Sequence, residues 1–172
     1  MIIVNTGNGK GKTTAALGQA LRAVGEGKKV LMIQFIKGPW KSGEDESAKL
    51  LAPNFLLRKM GRGFVGILGD SLPREAHETA AREALLMAEK ETKEANWDML
   101  ILDEINNALA LNLISLESVL RFIDAFPKDK HLVLTGRDAD KEVIRRADLI
   151  TEMKEVKHPY QAGIKGKRGI EY

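Results

Sequence analysis

The 172-residue sequence has no cysteine. That removes disulfides, thiolate metal sites, iron–sulfur clusters and a cysteine nucleophile, and it fits a reducing compartment. Aromatic residues are scarce at 5%, too few for the basic face with interleaved aromatics of a nucleic-acid-binding module. No apolar run approaches the roughly 20 residues a membrane span needs. Residues 1–5 show no basic segment, long apolar segment or cleavage site of a signal peptide. A cytoplasmic protein with neither a membrane nor a nucleic-acid partner is therefore expected. His77, His131 and His158 have no metal-ligand spacing. Neither sign of charge dominates, since 27 Lys+Arg against 24 Asp+Glu leave only +3. What remains is ordinary: 44% hydrophobic and 30% charged residues exclude a disordered or collagen-like chain, and the length suits one core.

Short apolar runs alternate with helical periodicity. Residues 1–5, 28–36, 54–60, 97–102 and 131–135 read as strands, and most are continuous apolar runs. Helical patterns cover 13–24, a long segment opened by Pro73, 104–112, 116–125 and 139–147. Residues 37–44 have loop chemistry, and 149–153 form a further apolar stretch. Continuous apolar strands separated by helices predict an α/β domain with a mostly parallel central sheet and helices on both faces. Its ligands belong at the carboxyl ends of the strands. The expected organisation is a nucleotide-binding domain over 1–153, with 154–172 as an irregular basic tail of the same domain.

The strongest local signal is Gly7-Asn8-Gly9-Lys10-Gly11-Lys12-Thr13-Thr14, between a strand and a helix. It ends like a phosphate-binding loop, GxxxxGK[ST], although Thr6 occupies the first glycine position. Glycines let backbone N–H groups wrap an anion, and the helix start adds its positive dipole end. Lys12 can reach a phosphate and the Thr13 hydroxyl can serve Mg²⁺. Asp103-Glu104, directly after Met99-Leu100-Ile101-Leu102, places carboxylates at a strand's carboxyl end, as a Mg²⁺–phosphate site requires. The alternative for this pair is capping of the following helix. Arg137, after Thr135-Gly136, is a candidate phosphate clamp, and Arg22 lies further along the first helix. Phe64, within Gly61-Arg62-Gly63-Phe64, and Trp40 are candidate ligand-facing aromatics; the glycines suggest a mobile loop. From residues alone the reading stops at an Mg-ATP-binding enzyme, and an ATPase, a kinase and an alkyl transferase all stay open.

The chain resembles the P-loop-type ATP:corrinoid adenosyltransferases over nearly its whole length. The resemblance is carried by Gly7 to Ala16, Gln34-Phe35-Ile36-Lys37-Gly38 with Trp40 and Gly43-Glu44, and Leu102-Asp103-Glu104. It continues through Leu134-Thr135-Gly136-Arg137, 147–153, and Lys157-His158-Pro159-Tyr160 with Gly163-Ile164 and 169–172. It implies a RecA-like fold and transfer of the 5′-deoxyadenosyl group of ATP to the Co(I) centre of a reduced corrinoid, with release of triphosphate. Under it Gly7, Asn8, Gly9, Lys10, Gly11, Lys12, Thr13, Thr14, Arg22 and Arg137 bind ATP. Thr13, Asp103 and Glu104 serve Mg²⁺, and Phe64 and Trp40 face the corrinoid. Lys12, Thr13, Phe64 and Glu104 carry the chemistry.

The resemblance also implies that aromatic side chains displace the corrinoid's lower axial ligand, that a reduced flavoprotein donates the electron, and that the protein is a homodimer. The DxHxxG pattern that supplies a histidine to cobalt is absent. Two departures follow. The family's segment ahead of the first strand helps close the site, whereas this strand starts at Met1, so closure is expected from elsewhere. The family's Gly-x-Gly-Phe-x-Trp loop has Gly66 at its tryptophan position here. Finally, residues 154–172 hold five basic side chains against Glu155 and Glu171, a balance equal to that of the whole chain. The tail is expected to lie near the triphosphate or the polar rim of the corrinoid.

Overall fold

The computed structural model describes residues 1–170 apart from Leu68 and Ala95. Glu171 and Tyr172, part of the last family-like segment, lie outside the described residues. The order is β1 (Ile2–Thr6), α1 (Lys12–Gly25), β2 (Val30–Gln34), α2 (Gly43–Leu50), β3 (Phe55–Lys59) and α3 (Arg74–Glu94). Then come β4 (Met99–Asp103), α4 (Ile105–Ala110), α5 (Leu116–Ala125), β5 (His131–Thr135), α6 (Lys141–Arg146) and β6 (Leu149–Glu152). A short 3₁₀ turn, Pro159–Ala162, interrupts the otherwise irregular tail.

The six strands form one sheet in the order β3-β2-β4-β5-β1-β6. Every pairing is parallel, so the expected mostly parallel sheet is fully so. Parallel strands are tolerated because both faces are covered. On one face Val4, Leu31, Ile33, Leu100, Leu102, Leu132 and Leu134 pack with residues from α3, α4, α5 and α6. On the other, Val30, Met32, Met99, Ile101 and Val133 meet Ala16, Ala20 and Ala23 of α1. The alanines bring α1 close to the sheet, which holds its first turn against the strand ends.

One helix departs from expectation. Residues from Gly43 onward form α2 instead of loop, although this helix buries no residue. Its signal is electrostatic: Glu44, Asp45 and Glu46 occupy the first turn, where carboxylates suit the dipole. The Ser42 N–H donates to the Asp45 carboxylate at 2.7 Å. A helix without an apolar stripe is invisible to periodicity.

Register decides which residues meet at the carboxyl edge. Gln34 of β2 lies opposite Asp103 of β4, and Asn5 of β1 opposite Thr135 of β5. Four polar strand ends thereby converge beside the loop that leads into α1.

Candidate active site

Asp103 is the centre of the convergence and is fully buried. One carboxylate oxygen accepts from the Thr13 hydroxyl at 2.8 Å and the Thr135 hydroxyl at 2.7 Å. The other accepts from the Gln34 side-chain amide at 3.0 Å. A buried carboxylate is tolerable only when so partnered. Because both oxygens are engaged, Asp103 orients Thr13 at the start of α1. The Thr135 hydroxyl also accepts the Glu104 N–H at 2.9 Å. That bond pins Glu104 in the left-handed region, with φ at 62°, a strained setting typical of functional positions.

Glu104 sits among charges. Burial, then the neighbouring Asp103 carboxylate, push its carboxyl up to about 7, against the opposing pull of Lys37, Lys12 and Arg137. Burial and then the Arg137 guanidinium lower the Lys12 ammonium, while Glu104 and Asp103 act the other way. Lys12, Lys37, Glu104 and Arg137 therefore sense one another across one site. The Arg137 N–H donates to the Asn107 side chain of α4 at 2.9 Å, which sets the direction of the chain after β5. Lys37 also pairs with Glu44 of α2. Burial alone would raise the Glu44 carboxyl; the Lys37 hydrogen bond and the backbone outweigh it and hold it low.

The phosphate-type loop is wrapped on itself. Lys12 Nζ donates to the carbonyls of Gly7 and Gly9 at 2.7 Å each. The chain after β6 crosses over it: the Gly9 N–H donates to the Met153 carbonyl at 2.6 Å and the Met153 N–H to the Thr6 carbonyl at 2.8 Å. A Cβ at position 9 would lie 2.8 Å from Lys154 backbone atoms, so glycine is needed there for close approach as well as for wrapping an anion. The start of the basic tail thus lies on the loop. Asn8, Lys10 and Thr14 are exposed around it. Arg22 is not brought to this site. It is exposed in the last turn of α1, about 15 Å along the axis from Lys12, where a cation complements the helix dipole.

Trp40 and Phe64 come together, one from the chain after β2 and the other from the chain after β3. Their rings stack with centroids 6.0 Å apart and planes 27° from parallel, and both are exposed, 60% and 47%. The two rings therefore lie outside the hydrophobic core. Two of the nearby glycines have a packing role. A Cβ at Gly63 would meet the Trp40 ring at 2.7 Å, and one at Gly61 would lie 2.2 Å from the Ile36 backbone. They permit close packing, and the Gly63 N–H is held by the Ile36 carbonyl at 2.9 Å.

Gln34 joins the two halves. Its side chain holds Asp103, while its own carbonyl accepts the Met60 and Gly61 N–H groups at 3.0 and 3.1 Å, which begin the loop that carries Phe64. Sequence reasoning gave no site role to Gln34, Thr135, Lys37 or Asn107. The available signal for the first two was a polar residue ending an apolar strand.

The oxygen donors suit a hard cation. Thr13 Oγ1 and Glu104 can face it directly, with Asp103 behind them, and the Gln34 side-chain oxygen is buried without a partner. Among the described residues no group of three or more His, Cys, Asp or Glu could hold a metal alone.

Comparison with known proteins agrees with this geometry. A family model described as ATP:corrinoid adenosyltransferase BtuR/CobO/CobP matches residues 1–172. The chain is 40% identical to a corrinoid adenosyltransferase of Escherichia coli K12, over all of this chain and 85% of that protein. It is 39% identical to the corrinoid adenosyltransferase CobA of Salmonella typhimurium with the same coverage, and 37% identical to a Pseudomonas aeruginosa corrinoid adenosyltransferase, of which it covers 83%. Among solved structures it is similar to the flagellar accessory protein FlaH of Methanocaldococcus jannaschii. That match has a TM-score of 0.55 at 15% identity, over 88% of this chain and 69% of that one. A KaiC-like protein of Pyrococcus horikoshii gives a TM-score of 0.51 at 15% identity, over 91% and 74%. These two likenesses concern the RecA-like fold alone. With a family model spanning every residue and relatives near 40% identity, the chain belongs to the ATP:corrinoid adenosyltransferase family.

Proposed function

We infer that this enzyme transfers the 5′-deoxyadenosyl group of ATP to the Co(I) centre of a corrinoid. Cobalt donates an electron pair to the 5′ carbon, the Co–C bond forms, the C–O bond breaks, and triphosphate leaves with that bond's electrons. The observation that carries the reading is Gln34, whose side chain organises the phosphate site while its carbonyl holds the loop of the exposed aromatic pair. Two substrates with different chemistry can then meet across one residue.

The Co(I) corrinoid is itself the nucleophile, so the protein's work is positioning and leaving-group stabilisation. Lys12 exchanges the Gly7 and Gly9 carbonyls for oxygens of the triphosphate. The remaining loop N–H groups and the Arg137 guanidinium share the charge that grows there. Asp103, through its bond to Thr13, fixes the hydroxyl at the helix start. Thr13 and Glu104 are the residues that would hold Mg²⁺, which would neutralise charge on the triphosphate. Phe64, stacked on Trp40, presents an apolar surface in place of the corrinoid's lower axial ligand. The electron that generates Co(I) comes from outside, from a reduced flavoprotein, since the chain has no cysteine. A homodimer in the cytoplasm completes the reading; among the described residues no helix is long and apolar enough to cross a membrane.

The test is a spectrophotometric assay with protein, Mg-ATP and chemically reduced corrinoid. A photolabile adenosylated corrinoid with stoichiometric triphosphate is expected. ADP and phosphate without a corrinoid product would instead identify an ATPase or kinase.

A further inference from the structure

The loop that carries Phe64 runs from the end of β3 to the start of α3, and its two halves are held differently. Its first residues continue pairing with the chain after β2, through Met60, Gly61 and Gly63. Beyond Phe64, a carboxylate gathers the chain. Asp70 accepts the Gly66 N–H at 2.8 Å and the Leu72 N–H at 3.1 Å. Both of its oxygens also face His77 Nε2, at 3.1 and 3.0 Å.

The pair is buried, with side-chain exposures of 2% for His77 and 8% for Asp70. His77 stands in the first turns of α3, a helix anchored in the core by Ala80, Ala81, Ala84 and Leu85. It is therefore a fixed post to which the loop is tied. Burying a carboxylate and an imidazole is costly unless each finds its partners. The contacts of Asp70 join polar groups, two loop amides and an imidazole, and what they secure is geometry. Gly66 is two residues from Phe64, with only Val65, packed against the main core, between them.

We propose that Asp70 and His77 are positioning residues for the generation of Co(I), clasping the far end of the Phe64 loop to α3 and so holding Phe64 on Trp40. The inference rests on the assignment of Phe64 to the corrinoid face. The clasp acts through Phe64 and touches neither substrate. It therefore governs the step that depends on the aromatic surface, the generation of Co(I), and leaves attack by pre-formed Co(I) nearly intact.

The experiment compares Asp70→Ala, Asp70→Asn, His77→Leu and His77→Gln with wild type, using Co(II) corrinoid plus reduced flavin, and separately chemically pre-reduced Co(I) corrinoid. Asp70→Ala and His77→Leu are expected to lose about tenfold or more with Co(II), the size of effect that misplacing a reacting surface produces, and much less with Co(I). His77→Gln, which keeps a side-chain N–H, should rescue most of the loss. In a Phe64→Ala background Asp70→Ala should cost nothing further, because both changes remove one function. A Trp97→Phe background isolates Trp40 emission, which should shift in Asp70→Ala and His77→Leu and stay unchanged in His77→Gln.

Equal losses in the two assays, or a multiplicative loss in the double variant, would reduce the clasp to a structural contact and overturn the proposal. If Asp70→Ala does not fold, Asp70→Asn, which cannot accept both loop amides and His77, decides by the same criteria. If Phe64→Ala itself leaves the Co(II) reaction unaffected, the Phe64 assignment fails. The clasp is then judged by Trp40 emission and by hydrogen exchange at the Gly66 and Leu72 amides alone, and no change in either would overturn it.

Discussion

The phosphate loop and the aromatic loop are both rich in glycine, yet the molecule holds them in opposite ways. The first is bound to the sheet from all sides. Thr13 bonds to Asp103, Lys12 to two loop carbonyls, and the Met153 backbone to Gly9 and Thr6. Its partners are strand ends that cannot move without disrupting a fully parallel sheet. The second displays exposed rings, held from below by backbone contacts at Gly61 and Gly63 and from beyond by one carboxylate. Under the proposed function the difference follows from what each half would do. Stabilising a leaving group needs donors fixed before the reaction, so that none reorganises during it. Accepting a large, flat ring system needs open apolar surface, which a tethered loop can present.

The largest expected effect would break the rigid half alone. Lys12→Ala should lower kcat/KM by about 100-fold or more, of order 3 kcal/mol of transition-state stabilisation, with Trp40 emission unchanged. Steady-state kinetics with reduced corrinoid measures it, and near wild-type turnover would remove Lys12 from the mechanism. Next, Phe64→Ala breaks the exposed half. It should cost about tenfold when the enzyme starts from Co(II) with a mild reductant and clearly less with pre-formed Co(I). A matching loss in both assays would mean that Phe64 only packs.

Gly63→Ala sharpens the comparison by adding a single atom. With φ at +112° and the Trp40 ring 2.7 Å from the new Cβ, the substitution should destabilise the protein by about 1–3 kcal/mol and disturb the ring stack. Denaturant midpoints and Trp40 emission report the two effects together. An unaltered emission would show that the stack does not rest on Gly63.

The last effect is a slope. Glu104 has its carboxyl pushed from 4.5 up to about 7 in the folded protein. Below pH 4.5 both folded and unfolded chains hold the proton. Between 4.5 and about 7 the unfolded chain releases it first, so stability falls as pH rises and levels off above that window. Thermal midpoints of the metal-free protein should show this decline, and Glu104→Gln should remove its share. An identical profile in the variant would contradict the burial of that charge.

Much of the fold was legible because burial on both faces of a parallel sheet writes each central strand as an apolar run. Val30–Gln34 and Met99–Asp103 are such cases. The phosphate loop was legible because its chemistry is local: glycines, a lysine and a threonine within eight residues of chain between a strand and a helix. α2 was missed because it has no apolar stripe and is held by its cap and charges. The close approach of Gly61 and Gly63 to Ile36 and Trp40 was not legible, since it leaves no trace in the residues beside them.

By itself the sequence determined the α/β class, the order of the elements other than α2, the phosphate loop and the presence of the Asp103-Glu104 pair. Each of these depends on neighbours a few positions away. Only the tertiary structure decided that Asp103 is held by Thr13, Gln34 and Thr135, partners 90, 69 and 32 residues distant. It likewise decided that Trp40 and Phe64 form one surface, that Arg22 stands apart from the site, and that Asp70 and His77 tie the aromatic loop to α3. These follow from strand order and register, which bring together residues with no pattern linking them along the chain.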